Sequence, residues 1–178
     1  MILDITQYGN PILRKKCKPV AEVTDELKEF GENLIDTMIS AEGIGLAAPQ
    51  VDRDLQMAVV DVSHDPECVS FLKVDGVETS LEDLMPLVFF NPILEFGKEK
   101  ESMTEGCLSI DGINAEVRRP AEVKATLSLL DGRTVVVESD GLLSRAIQHE
   151  VDHLNGILFV DRLSTAAKLS VRRKLKQL

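Results

Sequence analysis

With 178 residues, 44% of them hydrophobic and 28% charged, the chain is long enough to bury a core and has the balance of a folded domain rather than a disordered one. A net charge of −10 argues against general binding to nucleic acid or to an anionic membrane, both of which need positive potential. Three cysteines (Cys17, Cys68, Cys107) make no even-numbered disulfide framework, so the reducing cytoplasm is the expected compartment and a thiolate is free to bind metal.

Taken in order, the chain begins with an acid at Asp4 and no basic-then-apolar stretch, which predicts no signal peptide. Residues 1–23 read as an irregular arm broken by Gly9, Pro11 and Pro19. Thr24 is placed to cap a helix whose first turn carries Asp25 and Glu26, and Leu27, Phe30, Leu34, Ile35 and Met38 recur at helical spacing up to a stop near Gly43. Gly43-Ile44-Gly45-Leu46-Ala47-Ala48-Pro49-Gln50 superficially matches a dinucleotide fingerprint. That fingerprint has to follow a strand and open a helix, whereas this segment follows a helix and Pro49 keeps Ala48 out of helical angles. It reads instead as backbone able to approach a ligand, ending in an amide side chain, with a plain cap and turn as the other reading.

Leu55 to Val62 reads as a buried strand, rich in Val and Met. Residues 63–86 are polar and acidic, and His64 and Cys68 at their start read as part of a solvated loop rather than a second metal site. The apolar run from Leu84 to Phe96 is too short for a bilayer and contains Pro86, Asn91 and Pro92; a further strand follows around Ile93 and Glu95. Val123–Leu130 and Thr134–Val137, joined by Asp131-Gly132, predict a hairpin. Asp140 opens a helix that Gly156 closes, Ile157–Val160 reads as a short strand, and Ser164 starts a last helix with the basic tail Lys168, Arg172, Arg173, Lys174 and Lys176.

The helix opened by Asp140 carries Gln148-His149-Glu150-Val151-Asp152-His153. Residues four apart share one helical face, so His149 and His153 can grip one metal ion while Glu150, about 100° further round, can move a proton. A helix with His and Glu simply on its surface is the other reading, although two of the chain's three histidines fall in this motif. Among zinc peptidases, HExxHxxGxxH fails because Phe159 stands at the third ligand position, and no Glu or His follows His153. The third ligand must come from upstream. Cys107 in Glu105-Gly106-Cys107-Leu108-Ser109 is the best candidate, its other reading being a small buried hydrophobe.

These three motifs, in this order, resemble the peptide deformylase family. Asn91-Pro92, Arg119-Pro120 and Asp131-Gly132 extend the resemblance over nearly the whole chain. Two departures stand out: Asp111 where the family usually has Pro, and a longer connection over residues 63–86.

The resemblance implies removal of the formyl group from N-formylmethionyl nascent peptides. It implies one divalent metal, ferrous iron in the active form, with zinc, nickel or cobalt able to substitute on Cys107, His149 and His153. Glu150 is then the general base and acid. The Gln50 amide and the Leu108 backbone N–H stabilise the oxyanion, and Gly45 hydrogen-bonds the substrate through its backbone. Substrate contacts are implied at Gly106 and Arg119. Leu142 and Ala146, seven and three positions before His149, join Ile44 in an apolar slot for a Met side chain.

The expected architecture is α+β: small, mostly antiparallel sheets around a central metal-binding helix, with an N-terminal and a C-terminal helix outside. Residues 1–178 are expected to form a single catalytic domain, with a basic helix over about 164–178. Neither membrane nor DNA is an expected partner, whereas the basic tail offers a contact to the ribosome.

Overall fold

The computed structural model describes residues 1–178. Its centre is a seven-stranded antiparallel sheet in the order β1-β2-β5-β8-β9-β3-β4, formed by Gly45–Ala47 (β1), Met57–Val60 (β2), Leu72–Val74 (β3), Val77–Glu78 (β4), Leu87–Phe96 (β5), Val123–Ser128 (β8) and Thr134–Ser139 (β9). Lys100–Cys107 (β6) and Ile110–Pro120 (β7) form a separate antiparallel hairpin. The helices are Asp25–Ser40 (α1), Leu81–Leu84 (α2), Gly141–Leu154 (α3) and Thr165–Leu175 (α4).

Strand β2 shows why the central run is apolar at every position. Ala58 and Val60 face α3 and pack with Phe89, Ala146, Ile147 and Leu154. Met57 and Val59 face the other way, onto Phe30, Leu34 and Met38 of α1. A strand covered on both faces loses the polar alternation of a half-solvated one. A third cluster joins Leu13, Ile113 and Val117 of the arm and hairpin to Phe159 and Val171 near the C-terminus.

Local capping follows the sequence at α1 and α4, where the Thr24 and Ser164 hydroxyls accept from the N–H groups of Leu27 and Ala167. At α3 the outcome differs. Asp140 stands at the cap position, but its carboxylate accepts from the backbone of Ser70 (2.9 Å) and Phe71 (3.3 Å) and makes no capping bond to the helix. Gly141 follows at φ 55, and a Cβ there would collide with the Cys68 carbonyl. The start of α3 is therefore pinned by residues 68–71.

Two expectations are corrected. Residues 63–86 are more than a solvated loop, since β3 pairs with β9 and the β3–β4 hairpin closes one edge of the main sheet. Its acids sit mostly on the outer, exposed side, which hid the strand pattern. Residues Ile157–Val160 form no strand: Phe159–Arg162 is a 3₁₀ turn, with the Asp161 carboxylate accepting from the Leu158 N–H at 2.9 Å. No strand pairs with this segment, and Leu158, Phe159 and Val160 bury themselves in the third cluster against Ile113 and Val117 of β7.

Candidate active site

Helix α3 lies against β1 and β2, with its Leu143, Ala146, Ile147, Val151 and Leu154 in the core. That packing directs His149 and His153 towards the end of β6, where the turn into β7 presents Cys107. The His149 and His153 Nε2 atoms are 3.2 Å apart, and Cys107 Sγ is 3.4 Å from His153 Nε2. One ligand atom from each of the three falls within 4.8 Å of the other two. An ion bound by sulfur and nitrogen at about 2.0–2.3 Å sets its donors roughly 3.3–3.6 Å apart, so the trio fits a divalent metal.

The surroundings fit as well. Glu105 Oε1 is 2.9 Å from His149 Nδ1, which assigns that nitrogen the proton and leaves Nε2 free to ligate. Burial lowers the affinity of His149 for a proton, but Glu150, Cys107 and Glu105 outweigh it and lift the pKa to about 10. The pocket thus attracts a positive charge at the point where the metal would take it. Burial, helped by the charges of His149 and Arg119, pushes His153 well below its usual value, so its ring is neutral.

Glu150 is 4% exposed, and its Oε1 has no hydrogen-bond partner. Burial pushes its carboxyl up to about 7, with Glu105 and Asp152 adding to the rise and His149 and Arg119 opposing it. A carboxyl poised near neutrality can both take and give a proton. It has room only because residue 45 is glycine, where a Cβ would lie 2.8 Å from Glu150 Cδ.

Gln50 is buried and fully engaged. Its Oε1 accepts from the Ala47 N–H at 2.9 Å, while Nε2 donates to Ser109 Oγ at 3.1 Å and to Cys107 Sγ at 3.5 Å. The amide nitrogen therefore faces the metal side. A cleft of about 330 Å³ opens here, lined by Ile44, Gly45, Gln50, Leu142, Ala146 and Glu150, among others.

A model of the polypeptide deformylase family matches residues 2–169. The chain belongs to that family. A peptide deformylase of Methylacidiphilum infernorum is 43% identical over 178 residues, which span 100% of this chain and 93% of that one. A Synechococcus elongatus peptide deformylase crystallised with actinonin superposes with a TM-score of 0.80 at 38% identity, covering 97% of this chain and 85% of the other. The Legionella pneumophila enzyme gives 0.81 at 32% identity, covering 99% and 95%. Polypeptide deformylases remove the N-formyl group from nascent polypeptides, and this chain is a metal-dependent hydrolase of that kind.

Of the residues singled out in the sequence, Gly106, Cys107, Leu108 and His149 also line the deformylase cleft, and His153 lies against it through the ligand trio. Arg119 does not reach the cleft. Its side chain is 3% exposed and donates to Glu105 (2.6 and 3.0 Å) and Asp152 (2.8 Å). In place of a substrate contact it holds Glu105, which in turn holds His149.

Sequence reasoning missed the rest of this network. Arg145 donates to Glu105 Oε2 at 2.6 Å, and Arg162 grips Asp152 at 2.6 and 2.7 Å. It also missed Ser109, which orients the Gln50 amide, and Glu42 and Thr104 at the cleft wall. Asp152 was visible inside the helix motif, but nothing local revealed its partners.

Proposed function

We propose that Glu150, Gln50, Leu108 and Gly45 carry out deformylation of N-formylmethionyl peptides beside a ferrous ion held by Cys107, His149 and His153. The convergence of the thiol and two imidazoles next to a buried carboxyl, at the floor of a mostly apolar-lined cleft, carries the reading. When bound, the ion supplies Lewis acidity that brings the pKa of water towards ~7.

Glu150 takes the water's proton and returns it to the leaving nitrogen. Its unpartnered Oε1 and its rise to about 7 support both transfers. The Gln50 Nε2, exchanging its 3.5 Å bond to Cys107 Sγ for the substrate, and the Leu108 N–H meet the negative charge that develops on the formyl oxygen, each donor being worth roughly 3–4 kcal/mol in the transition state. The Ala47 and Ser109 bonds fix the amide beforehand, so little reorganisation accompanies the reaction. Gly45 presents backbone to the peptide, while Ile44, Leu142 and Ala146 receive the unbranched Met side chain and Gly106 forms part of the cleft wall beside it.

The choice of ferrous iron rests on the family resemblance; zinc, nickel or cobalt satisfy the same donors. Residues 1–178 act as one catalytic domain in the cytoplasm, and the basic face of α4 meets the ribosome. The decisive experiment measures formate released from a formyl-Met peptide, beside an acetyl-Met peptide and an internal peptide bond. Formate release alone is expected; cleavage of the internal bond would favour a peptidase instead.

A further inference from the structure

Helix α3 has a second concave face. Where His149, Ala146 and Leu142 look into the catalytic cleft, Gln148, Val151, Asp152 and Asn155 line a separate cavity of about 470 Å³ on the other side of the same helix. Its walls combine apolar surface from Leu94, Phe96 and Ile157 with four cationic side chains, Lys100, Arg118, Arg119 and Arg162, and a single carboxylate, Asp152. For a chain of net charge −10 this is an unusual concentration of positive charge.

The cations fall into two sets. Arg119 is spent on Glu105 and Asp152. Arg162 uses Nε and Nη2 on Asp152, and its Nη1 has no partner within the chain. Lys100 and Arg118 have none at all: both are exposed and form no ion pair. In the β6–β7 register Lys100 is paired with Pro120 and Ser102 with Arg118, which puts the two cations on one face as diagonal neighbours. Like charges so placed repel, and no acidic residue forms an ion pair with either of them. A concave site with free donors, its one carboxylate already held by Arg119 and Arg162, and an apolar floor is suited to an anion that has an apolar body.

We propose that this cavity binds a small organic anion, a phosphate or carboxylate head on an apolar body, and that its occupant braces the ion pairs behind His149. The head engages Lys100, Arg118 and Arg162 Nη1, and the body rests on Leu94, Phe96 and Ile157. Arg162 is the outer end of a continuous chain running through Asp152, Arg119 and Glu105 to His149 Nδ1. An anion that ties Arg162 to the β6–β7 hairpin restrains this chain, and outer partners of a ligating His govern how firmly the metal is held. The bracing rests on the metal assignment made above, whereas the binding itself does not.

The test uses the metal-loaded enzyme at fixed ionic strength, titrated with phenyl phosphate, benzoate and inorganic phosphate, and followed by calorimetry. Saturable binding is expected, with phenyl phosphate tighter than inorganic phosphate. The ranking of phenyl phosphate against benzoate then identifies the head group, either order supporting the site. Lys100→Ala/Arg118→Ala should weaken binding by about tenfold or more while leaving turnover of a formyl-Met peptide unchanged. Arg118→Glu, a milder change in bulk, should abolish binding. Binding of equal strength in these variants would place the anion elsewhere, at the metal for instance, and overturn the proposal, as would the absence of saturable binding. Metal release to a chelator should slow severalfold at saturating phenyl phosphate. An unchanged or faster release, with binding intact, would refute the bracing and leave the function proposed above untouched.

Discussion

At the scale of single residues, Glu150 and Gly45 are coupled. Glu150→Gln keeps the shape of the side chain but cannot carry a proton. Turnover should fall by about 10²–10⁴-fold while metal content, measured by atomic absorption, stays at the wild-type level. Gly45→Ala reaches the same group from the other side of the cleft, because its Cβ would press on the Glu150 carboxylate. A displacement of about 1 Å at a catalytic group costs on the order of 10²-fold. We expect that loss in kcat with metal retained; wild-type kcat would show that the carboxylate tolerates the shift. Cys107→Ala, by contrast, should lose metal first and activity as a consequence, which elemental analysis of the purified variant would check.

At the scale of elements, the back of α3 and the β6–β7 hairpin are joined by buried charge. Burial alone would raise the Glu105 pKa, but hydrogen bonds from His149 and Arg119 outweigh it and hold the carboxyl well below its usual range. Because the folded pKa lies below the unfolded value of 4.5, the unfolded chain binds more protons in the acid range. Glu105 therefore contributes stability that is fully present above about pH 4.5 and drains away as pH falls towards the folded pKa. Glu105→Gln would leave Arg119 and Arg145 short of a counter-charge in a buried site, a loss of about 3–5 kcal/mol at neutral pH. Urea titrations of the wild type and variant should show that gap narrowing between pH 7 and pH 3, and a gap independent of pH would refute the account.

At the scale of the whole molecule, charge is segregated. The chain is strongly acidic, yet Lys168, Arg172, Arg173, Lys174 and Lys176 line an exposed helix and none of them is in an ion pair. Val171 anchors that helix to the third core cluster, and the basic side chains around it stay exposed. Removing residues 168–178 should leave turnover of a short formyl-Met peptide intact but weaken ribosome binding and flatten its dependence on salt. Sedimentation with ribosomes at low salt is the check, and equal binding before and after truncation would exclude the tail as a contact. No helix of the protein is long and apolar enough to cross a membrane.

How much of this was legible beforehand follows the range of the interactions involved. Helix α1, the hairpin β8–β9 and the pairing of His149 with His153 are written in spacings of two to four residues, and those periods survive in any fold that keeps the element. Cys107 was legible by elimination, because a metal needs a third ligand and no Glu or His follows His153. Tertiary structure alone decided that Arg119 serves Glu105 rather than the substrate, that Arg145 and Arg162 complete the network, and that residues 72–78 close a sheet edge. It also decided that Glu150 is buried deeply enough to titrate near neutrality. Those outcomes depend on groups far apart in the chain meeting where water is excluded. Burial and partner set the energy of a charge there, and sequence spacing carries no record of either.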